Sequence, residues 1–308
     1  MATISAKDVM ELRKQTDCGM MECKKALTDA EGDFAKAVEL LREKGLATAS
    51  KKAGRVAAEG MVYATACSEC KVGVALEVNA ETDFVAKNDK FVDFVKKVAD
   101  VIIKENPADV EALMACKMGE GTVDDALKNL ILVIKENIKV RRFTRYEGVC
   151  AAYIHAGGTH AVLVNFDTTD EVAAKPEFAV YGKDIAMQIA AANPTYVRRE
   201  EVPADVLDKE KEILLAQMAN DPKTANKPDA IKEKMAIGKL GKFYKEACLV
   251  DQAFIKDGGM DVKKYVADTA KALGGDIKIA SFTHFTKGEG LEKRNEDFAA
   301  EVAAAIKG

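Results

Sequence analysis

A short pattern occurs twice in this chain. Glu59-Gly60-Met61 is echoed by Glu147-Gly148-Val149, and Thr82-Asp83 is echoed by Thr169-Asp170. Between the members of each copy lies a run that reads as strand. Val72, Val74, Leu76 and Val78 alternate with Gly73, Ala75 and Glu77, the period-two signature of a half-buried strand. Met61 to Ala66 is its expected partner, turned through Ser68-Glu69, and Ala161 to Phe166 echoes the second strand. A helix follows each Thr-Asp pair. In the first copy Phe91, Phe94, Val95, Val98, Val101 and Ile102 fall on one face before Pro107, and in the second a helix surrounds Ile185 and Ile189. Strand–strand–helix twice over predicts one α+β core built from two related halves.

The flanking segments read as helix. Ser5 caps a helix carrying Val9 and Leu12 inward. A second presents Met20, Cys23 and Leu27, and a third starts at Gly32-Asp33 with Phe34, Val38 and Leu41 on one stripe and Gly45 as its stop. Ala47 to Arg55 has linker chemistry, helical in part. Thr122 with Asp125 forms a capping box before Val123, Leu127, Leu130, Ile131 and Ile134. From Pro194 to Ala247 the chain is charged and helical, with Val206/Ile213 and Leu207/Leu214 seven apart. A break from Asp221-Pro222 to Lys227-Pro228 precedes Ile231 and Met235. Two readings fit this stretch, a projecting antiparallel hairpin or two surface helices of the core. Ile277 to Phe285 reads as a strand returning to the core, and Asp297-Phe298 opens a last helix.

Composition narrows the function. A formal net charge of −4 with both signs interleaved lacks the basic excess of a nucleic-acid binder, and no apolar run approaches a membrane span. Neither a phosphate-binding nor a dinucleotide fingerprint follows a strand, so no nucleotide cofactor is expected. The start of the chain lacks signal-peptide character, and seven scattered cysteines fit reduced thiols in a cytoplasm. Cys67 and Cys70 have metal-ligand spacing without a second pair, so no metal is expected. His155 and His160 flank a Gly-Gly turn with no carboxylate or cysteine at catalytic spacing, and no catalytic residues are assigned.

One corner stands out. Thr82-Asp83-Phe84-Val85-Ala86-Lys87-Asn88 joins a strand to a strong helix, and the second copy carries Glu171 where the first has Phe84. A corner that tolerates Glu faces water, which would put Phe84 on the surface as a contact; the alternative tucks the ring under the helix. Asp83 reads equally as a contact or as a helix cap.

The same corner is similar to the signature of the elongation factor Ts family. Cys18-Gly19-Met20-Met21-Glu22-Cys23-Lys24-Lys25-Ala26-Leu27 resembles that family's N-terminal signature, and Glu136 to Arg142 and Gly288 to Lys293 resemble further segments in the same order. The resemblance covers nearly the whole chain. It implies a ubiquitin-associated-like three-helix domain and linker over 1–55, a core subdomain over 56–146 and a second over 147–193 continued at 248–284. It further implies a helical-hairpin (coiled-coil) insertion over 194–247 and a C-terminal module over 285–308. It implies elongation factor Tu as partner, with Thr82, Asp83, Phe84 and Val85 disturbing that partner's magnesium site. Met20, Met21, Ile134 and His155 are the other implied contacts, and assembly as a homodimer or a heterotetramer with the partner is left open. One departure concerns Lys135, which stands where the family usually has Gly. Two other readings compete: a binder of ubiquitin-like proteins, and an RNA-associated protein using Lys51, Lys52, Arg55, Arg141, Arg142 and Arg145.

Overall fold

A computed structural model describes residues 4–16 and 18–292. The segment around Asp297-Phe298 and most of 285–308 lie outside the described residues. Three helices open the chain: α1 (Ala6–Thr16), α2 (Met20–Asp29) and α3 (Phe34–Lys52). Ser5 and Asp8 cap α1 reciprocally, Asp8 N–H donating to Ser5 Oγ at 3.2 Å and Ser5 N–H to the Asp8 carboxylate at 2.9 Å. Val9, Leu12, Cys23, Ala26, Leu27, Ala37 and Leu41 form one cluster, while Met20 points outward rather than joining the inner stripe.

Then follow β1 (Glu59–Cys67), β2 (Val72–Ala80), the one-turn α4 (Asp83–Ala86), α5 (Asp89–Glu105), α6 (Val110–Ala115), a small hairpin β3 (Lys117–Met118) and β4 (Gly121–Thr122), α7 (Val123–Ile134) and β5 (Lys139–Glu147). The second half repeats this order. It has β6 (Val149–His155), β7 (His160–Thr168), α8 (Asp170–Ala173), α9 (Pro176–Ala192), two long helices α10 (Ala204–Asn220) and α11 (Asp229–Ala247), a small hairpin β8 (Ala253–Phe254) and β9 (Asp257–Asp261), α12 (Val262–Leu273) and β10 (Ile277–Thr286). The fold is α+β, with antiparallel sheets ordered β1-β2-β5 and β6-β7-β10.

The duplication extends to single backbone angles. Gly60 and Gly148, the glycines of the sequence echo, have φ of 103° and 108°, where a side chain would be strained. Asn106 and Asn193 end α5 and α9 in the left-handed region, each followed by proline. Lys135 and Gly274 end α7 and α12 at φ 64° and 68°. The second half therefore carries the unstrained residue at the turn where the first half carries lysine.

Two expectations are corrected. All nine residues of β2 are buried, not every second one. The other sheet covers its second face: a Cβ on Gly73 would meet Leu163 Cδ1 at 2.6 Å, and Ala75 packs with Val62, Ala64, Ala161, Leu163 and Phe285. The alternating small residues mark a close sheet-on-sheet approach, not a solvent face. Gly45 likewise does not stop its helix. α3 runs on to Lys52, and Gly45 is buried where a Cβ would stand 3.4 Å from the Lys128 carbonyl of α7. Leu132 of α7 completes the N-terminal cluster, and Arg42 pairs with Asp125 at 2.9 Å, so the first three helices are seated on α7.

α10 and α11 pack on each other through Leu214, Met218 and Ala236, with Thr224 Oγ1 donating to the Met218 carbonyl across the turn at 2.7 Å. Ile213 and Ile231 face outward, so only the Leu214 member of the two seven-residue stripes is buried in the contact. No helix among the described residues is long and apolar enough to cross a membrane.

Candidate functional site

The corner between β2 and α5 is held by groups far along the chain. Thr82 is the N-cap of α4, but its hydroxyl makes no bond to that helix. Its Oγ1 donates instead to Glu136 Oε1 at 2.7 Å, and its N–H donates to Glu136 Oε2 at 3.0 Å. One carboxylate thus takes both donors and fixes the direction in which the chain enters the helix. Next to it, Glu81 accepts from the Asn137 N–H at 2.6 Å and pairs with Arg55 at 3.4 Å. Asn137 is buried and donates to the Arg55 carbonyl at 2.7 Å, tying the end of the α3 linker to the same point.

From this anchor the single turn of α4 divides its side chains. Val85 is buried in the core with Phe91, Phe94 and Val95. Phe84 projects the other way and is 78% exposed, more than any other large apolar side chain among the described residues. The alternative of a ring tucked beneath the helix is excluded. Asp83 is the first residue of α4, not its cap; its carboxylate lies 3.9 Å from Lys87 Nζ one turn on, and its charge suits the helix N-terminus. Lys87 N–H donates to the Phe84 carbonyl at 3.2 Å and Asn88 then caps α5, accepting from Lys90 N–H at 3.0 Å.

Met20 and Met21 are 52% and 76% exposed on α2. Met10, to which the sequence reading gave no role, is also exposed and lines one depression with Met20, Lys7 and Arg13. It sits beside the buried Val9 in the α1 pattern, a polar-face position occupied by an apolar residue, which was the available signal. Ile134 is half-buried against the first core. A line of contacts joins these places: Glu22, next to Met21, lies 4.0 Å from Lys135 Nζ, and Glu136 follows to hold Thr82.

His155 is not part of that line. It is exposed at the β6–β7 turn, where its Nδ1 lies 3.0 Å from Tyr153 Oη. The three histidines form a row across the second sheet, His160 Nδ1 lying 3.2 Å from His284 Nε2. Burial, and then the neighbouring His160, lowers the His284 pKa below its ordinary value.

The basic residues near the core are engaged internally. Glu77 is fully buried and accepts from Arg141 at 3.1 Å, Arg142 at 2.6 Å, Asn79 at 3.1 Å and the Gly288 N–H at 2.8 Å. Burial raises the Glu77 pKa, but the bonds from Gly288, Asn79 and Arg142 outweigh it and the net shift is downward. Arg142 also lies over the Phe285 ring at 4.3 Å, and the Arg145 side chain is only 13% exposed. These three arginines do not form the solvated basic face that an RNA-associated protein would need.

The cysteine expectation also changes. Cys67, the last residue of β1, and Cys70, in the β1–β2 turn, are joined as a disulfide, so not all seven thiols are free.

Fold and corner together define the class: a duplicated α+β protein that carries an exposed aromatic ring on an anchored turn. The family model described as "Elongation factor TS" matches residues 81–289. Relatives agree over nearly the full length. The chain is 49% identical to the elongation factor Ts of Trichlorobacter lovleyi, covering 98% of each chain, and 48% identical to that of Symbiobacterium thermophilum, again covering 98% of each. It is 47% identical to that of Clostridioides difficile, covering 100% of each. The chain belongs to the elongation factor Ts family and is a translation elongation factor.

Proposed function

We propose that this chain is a guanine-nucleotide exchange factor for elongation factor Tu, acting by binding and without bond chemistry. The observation that carries the reading is Phe84, exposed on a turn whose entry and exit are both fixed. A side chain that must displace groups in a partner gains from being held in place beforehand, because little ordering is lost on binding. Tight GDP binding relies on magnesium bridging phosphate oxygens. Seating Phe84 in a pocket of the GTPase would move the helices that carry the metal's water ligands, and GDP would leave faster once the metal's charge is lost. Thr82 orients the turn, Val85 roots it, and Asp83 sets its polar edge. By linkage, GDP weakens the binding of this protein by the factor by which this protein weakens GDP.

The same reading assigns α1–α3 as the ubiquitin-associated-like unit over 1–55, gripping the partner through Met20 and Met21. It assigns α10–α11 as a helical arm over 194–247, and Ile134 and His155 as further contacts. The protein itself would bind no nucleotide or nucleic acid and would work in the cytoplasm.

The test is the release of a fluorescent GDP from elongation factor Tu in the presence of excess unlabelled GDP, with and without this protein. Substoichiometric protein should accelerate release many-fold. Release at the intrinsic rate with saturating protein would end the reading.

A further inference from the structure

The β1–β2 turn carries chemistry that the exchange reading does not use. Its register pairs Cys67 with Val72, leaving Ser68, Glu69, Cys70 and Lys71 in the turn. The two cysteines are three apart with Cα atoms 5.3 Å from each other and are disulfide-bonded. Cys70 is exposed and Cys67 half-buried, so a reagent meets the Cys70 sulfur first. The Cys70 N–H lies 3.1 Å from Cys67 Sγ, directed at the sulfur that would depart. A backbone donor there stabilises a leaving thiolate. The loop closed is among the shortest a disulfide can close, so the bond adds little chain-entropy stabilisation that would oppose its reduction.

The other five cysteines do not share these features. Cys18, Cys23 and Cys248 are buried and Cys116 and Cys150 half-buried. Burial pushes the Cys150 and Cys248 thiols up to about 11. They are poor nucleophiles at neutral pH.

We propose that Cys67–Cys70 is a thiol–disulfide exchange site that accepts electrons from a dithiol reductant. One thiolate of the dithiol attacks Cys70 Sγ; the Cys67–Cys70 bond breaks as the mixed disulfide forms, and Cys67 leaves as a thiolate and takes a proton. The second thiol of the reductant then attacks its own partner sulfur in the mixed disulfide and loses its proton. Cys70 is released as a thiolate and protonated. The protein gains two electrons and two protons, and the dithiol becomes a disulfide. The turn so opened is tied to the second half, the Gly148 N–H donating to the Lys71 carbonyl at 2.8 Å and Lys71 pairing with Asp170 at 2.6 Å. It lies at the end of β2 opposite Thr82, so exchange of thiols and exchange of nucleotide can be tested separately.

The experiment counts thiols by intact mass after N-ethylmaleimide labelling in denaturant. The air-oxidised full chain should take five adducts, and seven after treatment in native buffer with dithiothreitol. In Cys67→Ser, oxidised glutathione should add one glutathione, mapped to Cys70, with the buried cysteines untouched. Seven adducts without reduction, five after dithiothreitol in native buffer, glutathione elsewhere than on Cys70, or a stoichiometric zinc ion held by the reduced chain would each overturn the proposal.

Discussion

Truncating Phe84 to alanine separates what the ring does for this protein from what it does for a partner. A phenylalanine side chain presents about 150–250 Å² of mostly apolar surface. With 78% of Phe84 exposed, about 150 Å² of that is free to be covered by another molecule. At about 25 cal/mol per Å² the gain on full burial approaches 4 kcal/mol. Ordering and imperfect fit reduce it, and central aromatic contacts are worth about 2–4 kcal/mol on truncation. Phe84→Ala should therefore lower the second-order rate of GDP release by about 30- to 1,000-fold, at about 1.4 kcal/mol per tenfold. Because the ring packs little against its own chain, stability by urea denaturation should change by no more than about 0.5 kcal/mol. Stopped-flow release of fluorescent GDP from elongation factor Tu reads the first effect. An unchanged rate with an unchanged fold would refute the wedge, and a large loss of stability would show that the ring is a structural part of the corner.

Four further outcomes follow from the same geometry. Glu136→Ala removes the acceptor for both Thr82 donors and should slow GDP release at least about tenfold while Phe84 remains in place, read in the same assay; a rate within twofold of the parent would deny the anchor its role. Lys135→Gly relieves a left-handed lysine and should stabilise the chain by about 0.5–1 kcal/mol in chemical denaturation, less the entropy glycine gains when unfolded. Glu77→Gln leaves Arg141 and Arg142 without their carboxylate and should destabilise by about 3 kcal/mol. Because the folded-state pKa of Glu77 is lowered, its stabilisation is present above the unfolded-state pKa and is lost as pH falls through the folded value, so the variant should show a shallower loss of stability on acidification. Gly73→Val places a side chain where Leu163 and Cys150 already stand and should cost more than about 2 kcal/mol by denaturation, with no repair from a better strand propensity.

The sequence was most readable where local chemistry decides the structure. The capping box at Thr122-Asp125 forms as read, because both bonds lie within four residues. The repeat was readable because two glycines must hold the same unusual φ in both halves. What depends on distant packing was not. β2 looked half-buried because Gly73 and Ala75 are small, yet they are small because another sheet lies against them, and periodicity carries no information about that neighbour. Gly45 reads as a helix stop or as a helix contact with equal ease, and only α7 decides. β5 escaped notice because Arg141, Arg142 and Arg145 gave it the look of a solvated stretch, when the first two answer a buried glutamate on the neighbouring strand. At the corner, Glu171 in the second copy pointed to a water-facing position. The anchor at Glu136 lies 54 residues from Thr82, with no local signal at either end.

The two corners of the duplicated fold are anchored in different ways. In the second, Thr169 closes on its own helix, its hydroxyl accepting from the Val172 N–H at 3.4 Å, and Val172 is buried as Val85 is. That corner is self-sufficient, and the Asp170 beside it pairs with Lys71 of the other half. In the first, the cap hydroxyl is withdrawn from its helix and given to Glu136, so the short helix gives up a local bond to be positioned from outside. A loss of that kind is retained where orientation matters more than the stability of one turn. The segment that supplies Glu136 also carries the strained Lys135, whose carbonyl accepts from Lys52 Nζ at 2.5 Å and whose side chain reaches toward Glu22. The N-terminal helices, the end of α7 and the aromatic corner are thus coupled through three consecutive residues, Lys135, Glu136 and Asn137. A force applied at Met21 and one applied at Phe84 act on the same strut, and a partner that grips both would meet them at a fixed separation.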